Sequence, residues 1–215
     1  MTRSLTKKPI LPQILYTLSL VFLGTGLLTL GWAVWPPAMD AVQLSIPEGR
    51  LPGAPLGADY VSLQSYDLTV TWPSRIRRGE SGLLSVTLTG TDDNVGDNMA
   101  DTQIVLIEPF LPGFALQPEG NLQTSLQAGQ DLTYSWSISK GQPGDHSGKV
   151  LTSFGVYEDE LLEIVAVPVA ATDVSIQVTS LWGLSAQVAL WVGFVGLAFW
   201  GGLFLLGRMA EGRAG

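Results

Sequence analysis

Two uncharged apolar stretches, residues 14–35 and 184–206, bracket everything else in this chain. As α-helices rising 1.5 Å per residue they would run roughly 33 and 35 Å, enough to cross a hydrocarbon core about 30 Å thick. The residues between them carry no helical period. The expected protein is therefore a small β domain tied to a membrane at both ends. Its partners begin with membrane lipids.

Basic residues near the ends of short membrane segments set orientation, because cytoplasmic flanks retain Lys and Arg. Arg3, Lys7 and Lys8 precede the first stretch, and Arg208 and Arg213 follow the second. On the inner flanks no basic residue stands between Trp35 and Arg50, or between Lys149 and Leu184. Both termini are thus expected in the cytoplasm and the middle outside, in a two-pass protein of the cell (plasma) membrane. Tyr16, Trp32, Trp35 and Trp182 fall where aromatic belts form. A cleaved signal peptide is the rival reading of residues 1–41, but a signal core is 7–15 apolar residues and this run is longer. An uncleaved anchor is expected.

Charge is divided unevenly. Of eleven basic and nineteen acidic side chains, five basic and one acidic lie on the outer flanks. The middle keeps six against eighteen, a net of −12. Such a segment repels nucleic acid and anionic lipid, so no nucleic-acid partner is expected. There is no cysteine, which excludes disulfides, zinc–thiolate sites, iron–sulfur clusters and thiol catalysis. The domain must hold together by its apolar core alone, and about 120 residues suffice for one.

Pro36-Pro37 ends the first helix, since proline lacks the N–H donor and clashes with the preceding turn. Residues 36–59, rich in Pro and Gly, read as an extended stalk with a short strand at 42–46. From Tyr66 the period becomes two: Tyr66, Leu68, Val70 and Trp72 alternate with polar residues, as a half-buried strand requires. Residues 73–82 read as a turn. Further strands are expected at 84–88, 102–107, 114–117, 132–138, 148–157, 161–169 and 174–178, with 158–160 at a hairpin tip. Short alternating strands between Gly/Pro/Asp turns indicate an all-β antiparallel sandwich flanked by two transmembrane α-helices. The expected division is a tail at 1–13, a span at 14–35, the stalk at 36–59, the sandwich at 60–180, a span at 181–207 and a tail at 208–215.

The segments DLTVTWPSRIRRGESGLLSVTL (67–88), FLPGFALQP (110–118), LTYSWSIS (132–139) and QPGDHSG (142–148) together resemble the immunoglobulin-like, cell-adhesion-related β-sandwich domains of prokaryotic surface proteins. The resemblance covers residues 60–180 and rests on turns and alternation. It implies an immunoglobulin-like fold and assigns no activity.

Candidate chemistry is sparse. His146, the one histidine, lies between Asp145 and Ser147, but triad members converge from separate segments, so a surface turn is expected. Asp92, Asp93, Asp97 and Asp101 form an oxygen-rich run that would suit calcium. Their spacing departs from the EF-hand loop, and a solvated loop is the expectation, with calcium the alternative. Arg75, Arg77 and Arg78 are a basic cluster, read as an exposed turn beside Glu80 or as a contact for an acidic partner or lipid headgroups.

The spans carry small residues at helical spacing. Ser185, Ala189, Gly193 and Gly196 make one smooth face of the second, and Thr17, Gly24 and Gly31 recur every seven residues in the first. Small residues let helices approach closely in lipid. Neither span holds a charged residue or a histidine, which argues against an ion path and against imidazole-ligated haem or chlorophyll. No cofactor is expected. The expected function is non-enzymatic: an accessory or scaffolding subunit of a membrane complex, with membrane-protein partner subunits. A stand-alone adhesion or assembly module is the alternative. A hydrolase or carbohydrate-binding module using Glu158, Glu160 and Glu163 is a more distant one.

Overall fold

The computed structural model describes residues 10–51, 61–62, 64–90, 102–127, 130–158 and 163–212. The chain forms two compact units. One joins the two terminal segments, Met1–Pro36 and Ser180–Gly215, and the other is Pro37–Thr179.

The first unit is a helix pair, α1 (Ile10–Val34) and α2 (Ala186–Gly212). Each is long and apolar enough to cross a membrane by length and composition. Leucine, valine and aromatic side chains such as Leu20, Val21 and Trp191 are more than half exposed. In water so much exposed apolar surface is prohibitive; in lipid it is the ordinary state of a spanning helix. α1 stops before Pro36-Pro37, as proline requires. Ahead of α2, Leu181 bridges Leu184 around Trp182 and Gly183, both with positive φ (53° and 77°). Ser185 then caps the helix, its Oγ accepting from Val188 N at 3.4 Å.

The second unit is β-structure throughout. Its strands are β1 (Met39–Ile46), β2 (Gly49–Arg50), β3 (Val61–Ser62), β4 (Tyr66–Pro73), β5 (Arg75–Arg77), β6 (Ser81–Gly90), β7 (Thr102–Phe110), β8 (Ala115–Gln117), β9 (Leu122–Gln127), β10 (Leu132–Ser139), β11 (Gly144–Glu158) and β12 (Glu163–Thr179). One five-stranded sheet has the order β1-β4-β6-β10-β8, the other β5-β12-β11-β7-β9, and β2 pairs with β3. Period-two burial puts Leu68, Val70, Leu84, Val86, Trp136 and Ile138 of the first sheet into one core with Val105, Ile107, Val150, Phe154, Val174 and Ile176 of the second. Trp72 ties the sheets together, its Nε1 donating to the Ser175 carbonyl at 3.1 Å.

The structure departs from the sequence reading in several places. Residues 39–46 are not stalk: β1 pairs with β4 over its whole length, from Met39↔Pro73 to Ile46↔Tyr66. The segment read as a turn at 73–82 contains β5, which runs parallel to the end of β12. β9 was not expected, because only Leu122 and Leu126 mark its inner face among polar residues. The strands expected at 161–169 and 174–178 are one, β12. Its alternation continues through Thr172, a polar residue in a buried position, while Asp173 faces out beside Lys149 at 3.6 Å. The register shift opposite Thr152/Ser153 falls next to Pro168, where a strand tolerates a residue without N–H.

Candidate functional site

The helix pair is antiparallel. Phe22 stacks on Phe199 with ring centroids 5.6 Å apart, and Tyr16 meets Phe204 edge-on at 5.8 Å. Tyr16 Oη donates to Glu211 Oε2 at 3.0 Å. Beyond Phe22, toward the C-terminal end of α1, the two backbones touch. A methyl group at Gly26 would lie 3.1 Å from the Gly193 carbonyl oxygen and 3.2 Å from Leu197 N. One at Gly196 would lie 3.3 Å from Gly26 Cα, and one at Gly193 only 2.5 Å from Leu30 Cγ. Gly26, Gly193 and Gly196 thus let the helices approach at the distance where dispersion contacts multiply.

Of the small residues singled out in α2, Ala189, Gly193 and Gly196 are buried on this face. Ser185 is the cap and not part of the packed face. In α1 the faces are reversed relative to expectation. Thr17, Gly24 and Gly31 are exposed, and nothing lies within 4 Å of where a Cβ at either glycine would stand. The packed stripe is Ser19, Gly26 and Ala33, with Thr29 beside it. It too recurs every seven residues, but two positions along, which on a helix is a rotation of about 200°. Two equivalent stripes were present and spacing could not choose between them. The buried hydroxyls are silent toward α2, since Ser19 Oγ donates to the Tyr16 carbonyl at 2.8 Å and Thr29 Oγ1 to Thr25 at 2.9 Å.

Beside this contact runs an apolar groove of about 390 Å³. Phe22 and Thr25 of α1 and Trp191, Val192, Val195 and Phe199 of α2 line it. No residue pattern marks this groove, because it exists only once the helices are apposed.

In the β unit the three arginines separate. Arg77 is half-buried and held to Glu80, with Nη1 3.1 Å from Oε2. Arg75 and Arg78 are exposed, and Arg75 Nε donates to Gln177 Oε1 at 3.3 Å. His146 is not in a surface turn: it lies near the start of β11 opposite Ile176, half-buried, with a ring nitrogen 3.2 Å from the Gln142 carbonyl oxygen and the ring edge-on to Phe114 at 5.7 Å. Asp145 accepts from Gln177 Nε2 instead of facing the imidazole. Glu158 and Glu163 are cross-strand partners at the end of the β11–β12 hairpin, while Glu160 lies outside the described residues. So do Asp92, Asp93, Asp97 and Asp101. Among the described residues no three metal-ligating side chains come together. Burial against Phe154 raises the Tyr66 hydroxyl above its ordinary pKa, and a hydrogen bond with Gln64 partly opposes this.

No family model matches this chain, and no curated protein matches it. Solved structures that share part of its outline are a PapD-like domain of human CEP192 (11% identity, 50% of this chain and 82% of that one, TM-score 0.32) and a β-glucosidase from Listeria innocua (15% identity, 60% and 18%, TM-score 0.34). An extracellular fragment of EsaA from Streptococcus gallolyticus is a third (10% identity, 87% and 42%, TM-score 0.26). Likenesses this slight assign neither a family nor an activity.

Proposed function

We propose that this chain is a non-enzymatic two-pass protein of the plasma membrane, with both termini cytoplasmic. It holds an acidic immunoglobulin-like domain outside as an accessory or scaffolding subunit of a larger membrane complex. The immunoglobulin-like reading is supported by strand order. β4-β6-β10-β8 follows the A-B-E-D order and β7-β11-β12 the C-F-G order of that sandwich, with β1, β5 and β9 added at the edges. The orientation is supported by the basic flanks at Arg3, Lys7, Lys8, Arg208 and Arg213.

The observation that carries the accessory role is the groove on the helix pair. The small-residue contact is used up inside the chain, yet a concave apolar surface flanked by Phe22, Trp191 and Phe199 remains for a foreign helix. The experiment is purification from the native membrane in mild detergent, with the wild type beside Val195→Trp, whose indole would fill the groove from an exposed position. Stoichiometric partners that leave with Val195→Trp support the reading. A wild type that runs alone or as a homo-oligomer favours the adhesion module instead. Single cysteines at Ser4, Ser125 and Gly212 test the orientation without background: an impermeant maleimide should reach only position 125 in intact cells whose outer membrane, if present, is permeabilised.

A further inference from the structure

The β unit is electrically polarised along its strands. Antiparallel register puts the end of β4, β5, the start of β6, the end of β10, the start of β11 and the end of β12 at one end. Arg75, Arg77, Arg78 and Lys140 gather there, against Asp40, Glu80 and Asp145. At the opposite end the described residues hold Glu48, Asp67, Asp131, Glu158 and Glu163, against Arg50. The basic end is also the one where the chain arrives from α1 and departs for α2. Ser74 N donates to the Ala38 carbonyl at 2.9 Å, and Ala38 is four residues beyond the last residue of α1. Arg78 N donates to the Thr179 carbonyl at 2.8 Å, and only six residues separate Thr179 from α2. At about 3.3–3.6 Å per extended residue, these connections keep both strand ends within a few headgroup-layer thicknesses of a bilayer spanned by the helices.

We propose that this end binds the phosphates of anionic phospholipid headgroups through Arg75 and Arg78. A domain carrying a net −12 would otherwise be pushed off an anionic surface. The exposed guanidiniums match phosphate geometry and offset that repulsion at the one place where the tethers enforce proximity. Arg77, held by Glu80 at the edge of β5, shapes the turn and is not a ligand. Lys140 is engaged within the domain, its Nζ donating to the Pro112 carbonyl at 3.0 Å and lying 4.8 Å from the Phe114 ring centre, and is not counted as a ligand.

The inference rests on the helices spanning a bilayer, but not on any partner subunit. Its test uses the full chain reconstituted alone in phosphatidylcholine vesicles carrying trace spin-labelled phosphatidylglycerol or phosphatidylcholine. The motionally restricted lipid fraction gives the preference for the anionic lipid. Arg75→Gln/Arg78→Gln should lower that preference by up to about fivefold per arginine that reaches the surface, an effect that salt should also erode. Arg50→Gln/Lys149→Gln removes the same charge elsewhere and should leave it unchanged. An unaltered preference in the first variant, as expected if the arginines serve an acidic protein, overturns the proposal. So does an equal loss in both variants. Failure of the wild type to float with alkali-washed vesicles would overturn the spanning reading and this contact together; flotation with unaltered preference would overturn the contact alone.

Discussion

Substituting Gly193 should loosen the helix pair in proportion to the size of what replaces it. A Cβ there would meet Leu30 Cγ at 2.5 Å and both Leu30 Cδ2 and Thr29 Oγ1 at 2.9 Å, where ordinary contact begins at 3.4 Å. Leu30 must yield or the helices must separate by about 1 Å, and a gap of that size forfeits a quarter to a half of the attraction at each neighbouring contact. Gly193→Ala already forces the shift, and Gly193→Leu overpacks the site at a cost of about 1–3 kcal/mol. That corresponds to roughly a 5- to 150-fold weaker pairing. Gly202→Ala is the matched reference, since nothing lies within 4 Å of its Cβ position. Leu197 would be a poor reference, because its backbone N and Cδ2 lie against Gly26. Dyes on cysteines placed at Gln13 and Gly212, both exposed and at the same end of the antiparallel pair, report pairing by energy transfer as SDS is titrated into the micelle. The separation midpoint should fall in the order Gly202→Ala, Gly193→Ala, Gly193→Leu. If Gly24→Leu or Gly31→Leu lowers the midpoint while Gly193→Leu does not, the packed face is the other stripe and the argument fails.

Two further outcomes follow from the core. Trp136 is fully buried, so Trp136→Ala should destabilise the β unit by about 3–5 kcal/mol, a fall in Tm of roughly 10–20 °C by circular dichroism in detergent for a domain of this size; a shift of only a few degrees would mean that the two sheets do not share this core. Tyr66 has a folded pKa above 10.0, its unfolded value, so the neutral hydroxyl contributes stability that is complete below pH 10 and is lost as pH rises through the folded value. Tyr66→Phe should flatten that alkaline limb in denaturant titrations between pH 9 and 12, and an unchanged limb would assign it to other groups.

What could be read from the sequence was periodicity. Alternation at Tyr66, Leu68, Val70 and Trp72 fixed a strand because each inward residue is apolar and each outward one tolerates water. It failed where the inner face is polar or sparse: Thr172 occupies a core position, and β9 shows only two leucines. β5 was hidden for another reason. Three residues cannot display a period, and its place is decided by parallel pairing with Gln177, Val178 and Thr179, about a hundred residues away. The arginines were therefore visible as a cluster, while their division into one half-buried and two exposed side chains was not. The small-residue stripes show the same limit, since which stripe is packed depends on the facing helix.

That choice of stripe bears on how any partner could dock. The approach of α1 to α2 consumes Gly26, Gly193 and Gly196, so a foreign helix cannot use those glycines for close backbone contact without displacing the chain's own helix. Two surfaces remain, and they demand different partners. The groove between Phe22 and Trp191 is concave and accepts a convex apolar side chain from a helix lying at ordinary distance. The exposed line of Thr17, Gly24 and Gly31 is smooth and accepts a helix with small residues of its own. Val195→Trp obstructs the first and Gly24→Leu the second, and neither touches the internal contact. Partner loss with Val195→Trp alone points to knob-in-groove docking, and loss with Gly24→Leu alone moves the interface to the opposite face of α1. Retention of the partner in both variants would shift the interface to the β unit, leaving the helices as an anchor.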